Sequence, residues 1–137
     1  MTKIKFIMLC AFIAFTTVSK AQSKLEIVIL DLRNSKGEVG LKLVDENEKL
    51  VHGIKSKIKN KKCVITFKDI PDGKYAVQYF HDENSDDKIE KNRIGMPKEG
   101  YGFSNDAHGK FGPKKFEKWL FTIKGDTKIK VKTKYWF

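Results

Sequence analysis

The chain has 137 residues, with 28 Lys and Arg against 17 Asp and Glu and only two cysteines. That length allows one small domain with one core, and no internal repeat or second domain is visible. Residues 22–137 contain a single cysteine, Cys63, which excludes an internal disulfide there.

Residues 1–21 read as a signal peptide. Lys3 and Lys5 form a positive start, Ile7 to Phe15 is a short apolar run, and Ser19-Lys20-Ala21 places small residues where a signal peptidase cuts. The run is too short to span a bilayer. Cys10 lies inside it rather than after it, which speaks against a lipoprotein. The expectation is an exported protein, periplasmic, outer-surface or extracellular after cleavage. Three lysines fall in residues 1–21, so 25 basic and 17 acidic residues remain, a net charge of +8. Such a protein has acidic glycan, anionic lipid or an envelope protein as candidate partners. Nucleic acid is not expected, because export separates it from the chain and no nucleic-acid motif is present.

Strand patterning dominates residues 22–137. Lys24 to Arg33 is rich in Ile, Val and Leu and reads as a buried strand, closed by the turn Asn34-Ser35-Lys36-Gly37. Val39, Leu41 and Leu43 alternate with Gly40 and Lys42, giving a half-buried strand. A turn at Asn47-Glu48 and a weaker strand around Leu50 to Lys57 follow. Cys63, Ile65 and Phe67 alternate again, so Cys63 is expected as a small buried apolar residue. Ile70-Pro71-Asp72-Gly73 turns the chain into a strand from Lys74 to His81. Tyr75 sits at the corner, where tyrosines of β-sandwiches bond their hydroxyl to nearby backbone. His81 shares the parity of Tyr75, Val77 and Tyr79, so a hydrogen-bonded structural role is expected for it.

The segment from Asp82 to Lys118 is too long for an ordinary connection, so it is expected to be functional or to contain ordered substructure. Lys114 to Lys118 fits one helical turn. Trp119, Phe121 and Ile123 alternate. After Gly125-Asp126, Ile129, Val131, Thr133, Tyr135 and Phe137 face one way, and Lys128, Lys130, Lys132 and Lys134 the other. That suits a strand with one face on a core and one in water, and the lysines discourage edge-to-edge pairing. The expected fold is all-β: a single antiparallel β-sandwich, transthyretin-like or Ig-like, of about seven strands with one long ordered loop.

Two parts of the long segment could carry chemistry. In the first, Asp82, Asn84 and Asp86 recur at alternate positions, with Lys88 placed to offer a carbonyl and Glu90 further on. This resembles the first half of a calcium loop of the EF-hand or dockerin type. Asp87 replaces the usual Gly at position six, and Arg93 stands where a bidentate acid is expected. The competing reading is a polar loop capped by its own Asp and Asn side chains. The second part interleaves glycines and aromatics from Gly95 to Phe116. Tyr101, Phe103, His108 and Trp119 are its candidate ligand-binding residues, against a bland reading as a hydrophobic cluster that pins the loop.

Taken together, Phe67-Lys68-Asp69-Ile70-Pro71-Asp72-Gly73-Lys74-Tyr75, Phe80-His81-Asp82-Glu83-Asn84, Pro97-Lys98-Glu99-Gly100-Tyr101-Gly102-Phe103-Ser104-Asn105 and Phe111-Gly112-Pro113 resemble a secreted bacterial family, domain of unknown function 2141. The resemblance implies export and a small β-rich domain, and no established activity. The expected function is an exported, non-catalytic binding or accessory module of the cell envelope, with its functional face on residues 81–116, ordered by calcium or by its own hydrogen bonds. The alternative is a small metal-assisted or carboxylate-dependent hydrolase using Glu99, Asp106, His81 and His108. No Gly-x-Ser-x-Gly nucleophile motif and no complete metal signature accompany them.

Overall fold

The computed structural model describes residues 23–137; the signal-peptide reading of residues 1–21 lies outside the described residues. Eight strands follow in order: β1 (Ser23–Leu30), β2 (Glu38–Asp45), β3 (Leu50–Lys57), β4 (Cys63–Ile70), β5 (Gly73–Asp82), β6 (Tyr101–Phe103), β7 (Phe121–Ile123) and β8 (Thr127–Lys132). One sheet has the order β4-β1-β8. The other runs β3-β2-β5-β6, with β7 paired to the start of β5. All pairings are antiparallel except that of β1 with β8, which is parallel. The only helical elements among the described residues are two single 3₁₀ turns, Ser104–Asp106 and Phe116–Lys118. The second lies where the sequence suggested a helical turn.

Period-two burial builds the core between the sheets. Leu25, Ile27 and Ile29 of β1 and Val39, Leu41 and Leu43 of β2 are buried, as are Cys63, Ile65 and Phe67 of β4 and Val77 and Tyr79 of β5. Truncating one of the central aliphatic residues, as in Ile27→Ala, would cost about 2–5 kcal/mol through lost transfer energy and the cavity left behind. Cys63 is the small apolar residue expected, and burial pushes its thiol pKa up. The corner tyrosine also behaves as expected: the Tyr75 hydroxyl donates to the Pro71 carbonyl at 2.7 Å.

β8 is the outer strand of its sheet. Lys128, Lys130 and Lys132 are exposed on it, while Val131 is buried, so the cationic face is in water. Lys128 pairs with Glu26 of β1 at 3.3 Å. Beyond Lys132 the chain leaves the strand: Tyr135 turns toward His81, and the Trp136 indole donates to the Tyr101 hydroxyl at 2.8 Å.

The segment from Asp82 to Lys118 is ordered by local pairing. Lys91 and Pro97 bridge a small hairpin, His108 and Pro113 bridge a second, and β6 pairs with Gln78 to Phe80 of β5. The loop therefore folds back to add β6 at the edge of the second sheet, and its two hairpins flank the outer face of that sheet.

Candidate functional site

The face of β5 opposite the core carries Gln78, Phe80 and Asp82. Its neighbours on that face are Gly40 and Lys42 of β2, and beyond them Gly53 and Lys55 of β3, as the register shows. The loop adds β6 beside β5 and partly covers Phe80, while Gln78 and the outward positions Lys42, Gly53 and Lys55 stay exposed. A groove of about 640 Å³ results. Its floor is formed by Gly40, Gly53 and Phe80. One wall is Ile89, Met96 and Pro97 from the first hairpin region, and another is Phe111, Gly112 and Pro113 from the tip of the second. Tyr101, Phe103 and Trp136 complete it from the β6 side.

The two strand glycines shape this floor differently. A methyl group on Gly40 would lie 2.7 Å from Phe80 Cε1, so the phenyl ring covers β2 at that point. A methyl group on Gly53 would meet nothing within 4 Å. Glycine within a strand weakens it and marks a close approach of another group. At Gly53 no part of the described chain makes that approach; the position opens into the groove. Several apolar groups of the lining face water: Phe111 is 91% exposed, and Ile54 and Ile89 also count among the exposed apolar residues.

Of the sequence-predicted ligand residues, Tyr101 and Phe103 line the groove. His108 and Trp119 stand behind them. Trp119 packs on Phe103 with centroids 4.3 Å apart and donates its indole N–H to the Lys114 carbonyl. It borders a small hollow beside Lys42 and Phe116. The His108 ring meets Tyr101 and Phe103 edge-on. Its Nε2 faces the Lys132 carbonyl at 3.2 Å, while Nδ1 is buried without a hydrogen-bond partner. These aromatics form a second hydrophobic cluster, with Tyr101, Phe103 and Ala107 buried and Phe80, Trp119 and Trp136 packed against them. The platform and the pinning cluster are thus one structure, whose open side is the groove. Sequence reasoning missed Phe80, Trp136, Gly40 and Gly53. The signal available was the pair of glycines inside apolar-patterned strands.

The acidic loop is bonded to itself. Asp82 is buried, and its two oxygens accept the amides of Asp86 and Asp87 at 3.1 and 2.8 Å. Asp86 Oδ1 accepts the Lys88 amide at 3.0 Å. The Asn84 side-chain amide donates to Asp86 Oδ2 at 3.2 Å and to Glu90 Oε1 at 2.8 Å, so it bridges the two carboxylates. Asp87 adopts φ 64°, the left-handed conformation for which a glycine is usual, and its carboxylate pairs with Lys55 of β3. Asp82, Asn84, Asp86 and Glu90 are therefore linked by hydrogen bonds, and Lys88, whose carbonyl was the group expected to serve, is tied to them through its backbone amide. Among the described residues no group of three or more His, Cys, Asp or Glu is arranged to hold a metal ion.

Buried polar groups hold the loop base. Glu99 accepts the Glu83 amide at 3.1 Å and the Glu90 amide at 3.5 Å. Burial pushes its pKa up, the two amides pull it back, and the nearby Asp82 and Asp86 push it further up. His81 is fully buried. Its Nε2 faces the Lys36 carbonyl at 2.7 Å and must donate to it, so Nδ1 accepts from the Tyr135 hydroxyl at 2.8 Å. Arg33 bonds Glu83 and the carbonyls of Phe137 and Lys98, with its guanidinium 4.7 Å above the Tyr135 ring. At Glu83 burial acts to raise the pKa, but the hydrogen bonds from Arg33 and Asn34 outweigh it, and the net direction is down. Asp106 accepts the Lys132 amide at 2.7 Å. Of the four residues suggested for hydrolysis, Glu99 and His81 have partners of their own, while Asp106 and His108 meet on the backbone of Lys132.

Fold and groove together define an all-β domain of two packed sheets with one outer face half covered by an ordered loop. A family model described as an uncharacterized protein conserved in bacteria (DUF2141) matches residues 27–131, and the chain belongs to that family. No curated protein and no solved structure matches it.

Proposed function

We propose that this protein is an exported, non-catalytic binding or accessory module of the cell envelope, and that its ligand site is the groove between strands β2 and β3 and the loop 83–113. The observation that carries the reading is Gly53: a glycine inside a strand, with open space above it, on the floor of a groove edged by exposed apolar side chains. The volume lies in the range of small-molecule sites, which are mostly apolar with a few polar groups. The hydrolase alternative is supported less well, because all four side chains are held by backbone groups: Glu99 by the Glu83 amide, His81 by the Lys36 carbonyl, and Asp106 and His108 both by Lys132. The test is titration with the neutral apolar dye N-phenyl-1-naphthylamine. Wild-type protein should give saturable, blue-shifted fluorescence. Gly53→Val places a branched side chain on the groove floor, where a Cβ meets no atom within 4 Å, and should weaken the signal without lowering the melting temperature. Dye binding that is undiminished in Gly53→Val would place the site elsewhere.

A second reading concerns the acidic loop, and Asp87 favours it, since it takes the left-handed turn that position six of a calcium loop requires. Rotating the Asn84 amide would turn its oxygen toward Asp86 and Glu90. On this reading millimolar Ca²⁺ raises the melting temperature, and Asp86→Ala abolishes the rise. An unchanged melting curve removes the ion from the account.

A further inference from the structure

We infer that the outer face of the β4-β1-β8 sheet docks on a lipid bilayer rich in anionic phospholipid. The two outer faces of the domain differ in charge. The groove side mixes both signs, with Glu38, Asp82 and Asp87 among Lys42, Lys55 and Lys91. On the other side the outward positions are those that alternate with the core. Strand β1 presents Lys24, Glu26, Val28 and Leu30 there. Strand β4 adds Val64, Thr66 and Lys68, and β8 adds Lys128, Lys130 and Lys132. Five lysines thus share the face with one glutamate, which is paired with Lys128 at 3.3 Å. Among the described residues the other four lysines make no ion pair. All five lysines, Val64 and Thr66 are exposed, so nothing in the described chain covers this face.

The rims do not reverse the sign. Asp31, Asp69, Asp106 and Asp126 lie at the strand ends and the outer edge, with Lys61, Lys62 and Lys124. Face and rims together hold eight lysines against five acids. Asp106 and Asp126 each commit an oxygen to a backbone amide of the face, that of Lys132 and that of Lys24. The chemistry then favours a bilayer over an acidic polysaccharide. The outward positions offer no aromatic ring for a sugar to stack on, and no Arg, Asn or Gln with planar donors. A lysine ammonium is a compact point charge without a fork geometry, so it suits anions that move laterally to meet it, as lipid headgroups do. Apolar groups stand between the charges. Val64, 55% exposed, is opposite Val28, which is opposite Lys130 on its other side, and Leu30 is opposite Lys132. Such a face carries both attractions of an interfacial surface, charge toward anionic headgroups and apolar area toward the boundary beneath them.

The experiment is co-sedimentation of the whole chain with vesicles of phosphatidylcholine, alone or with a third phosphatidylglycerol, at low ionic strength. Each lysine at an anionic surface contributes about fivefold in affinity, so binding to the mixed vesicles should be at least about tenfold tighter than to phosphatidylcholine alone. Added salt should weaken it. Lys68→Gln with Lys130→Gln and Lys132→Gln should lower it at least about tenfold. Lys42→Gln with Lys57→Gln and Lys91→Gln removes the same charge from the opposite sheet and its loop and should leave binding nearly unchanged. Any contribution of residues 1–21 is common to both variants. Val64→Ser should weaken vesicle binding severalfold further without changing its salt dependence. Equal binding by the two triple variants, or no preference for phosphatidylglycerol, overturns the inference. Retention on polygalacturonate that depends on the same three lysines, with no vesicle binding, overturns it in favour of an acidic glycan. None of these outcomes depends on dye binding in the groove.

Discussion

Tyr135→Phe isolates the buried contact that joins the C-terminal segment to the body. The hydroxyl donates to His81 Nδ1 at 2.8 Å and accepts the Arg33 backbone amide at 3.0 Å. Its removal leaves the ring packing in place, including the guanidinium stacked above it. The Arg33 amide lies on the exposed side and water replaces its partner at little cost. His81 is fully buried with Nε2 committed to Lys36, and the Glu83 carboxylate, 3.8 Å from Nδ1, is beyond hydrogen-bond distance and has no proton to offer it when ionised. An unsatisfied buried polar atom costs about 1–3 kcal/mol, so a loss of about 2 kcal/mol is expected. For a domain of this size about 4 °C of melting temperature goes with each kcal/mol, giving a fall of about 8 °C. Urea unfolding with an unchanged slope measures it directly. The double variant His81→Phe/Tyr135→Phe should be destabilised by less than the sum of the singles, with a coupling of about 1–2 kcal/mol. A loss below about 0.5 kcal/mol for Tyr135→Phe, or strict additivity in the cycle, would refute the network.

Two further perturbations probe the loop and the turns. The raised pKa of Glu99 means that the folded state binds its proton more readily than the unfolded state, so stability from this group rises as pH falls from 7 through the folded value toward 4.5. Glu83 acts in the other window: its lowered pKa gives stability that is present above 4.5 and lost as pH falls below it. The difference in urea stability between wild type and Glu99→Gln, followed against pH, should therefore change between pH 7 and 4.5; a constant difference would sink the assignment. Gly37 and Gly125 share positive φ values of 66° and 72°, but a methyl group on Gly37 would strike the Asp82 carbonyl while one on Gly125 meets nothing. Gly125→Ala should cost about 1–2 kcal/mol from its backbone conformation alone. Gly37→Ala should cost clearly more in the same denaturation assay, and equal losses would count against the clash.

Much of this architecture is legible in the chain because a half-buried strand writes its environment into alternate residues. Val39, Leu41 and Leu43, then Cys63, Ile65 and Phe67, name one face each, and the structure buries both sets. The Pro71 to Tyr75 corner is legible because the tyrosine acts on backbone four residues away. The parallel pairing of β1 with β8 is not, since it joins residues about a hundred positions apart and leaves no local trace. The groove is hidden for a related reason. Phe80 has the parity of the solvent face, where an aromatic residue carries no meaning until the covering loop is known. Trp136 shares parity with the lysines of β8 and reads as part of a wet face, yet the chain bends after Lys132 and carries it to Tyr101. Asp82 to Glu90 was readable as a cluster of oxygens. Which of them accept from the backbone depends on the turns at Ser85 and Asp87, both with positive φ at residues that rarely adopt it.

If the groove is the ligand site proposed above, these polar contacts matter because they shape it in the chain alone. The wall formed by Ile89, Met96 and Pro97 belongs to a segment with few buried apolar side chains of its own, and such a segment would ordinarily be ordered only on binding, at the expense of affinity. Here its two ends are tied. Glu99 takes the amides of Glu83 and Glu90, and Arg33 holds Glu83 and the Lys98 carbonyl together. The tip is closed by Asn92, whose side chain accepts the amides of Ile94 and Met96 at 3.0 and 2.9 Å. The opposite wall stands on Tyr101 and Phe103, which are buried against Ala107 and Trp119. Ordering has thus been completed during folding, using charges and amides placed away from the groove floor. That division of labour explains why the strongest acidic signal in the sequence and the apolar groove lie side by side: Asp82 and Glu99 act on the backbone of the loop, and the loop in turn sets Ile89, Met96 and Pro97 along the groove whose floor includes Gly53.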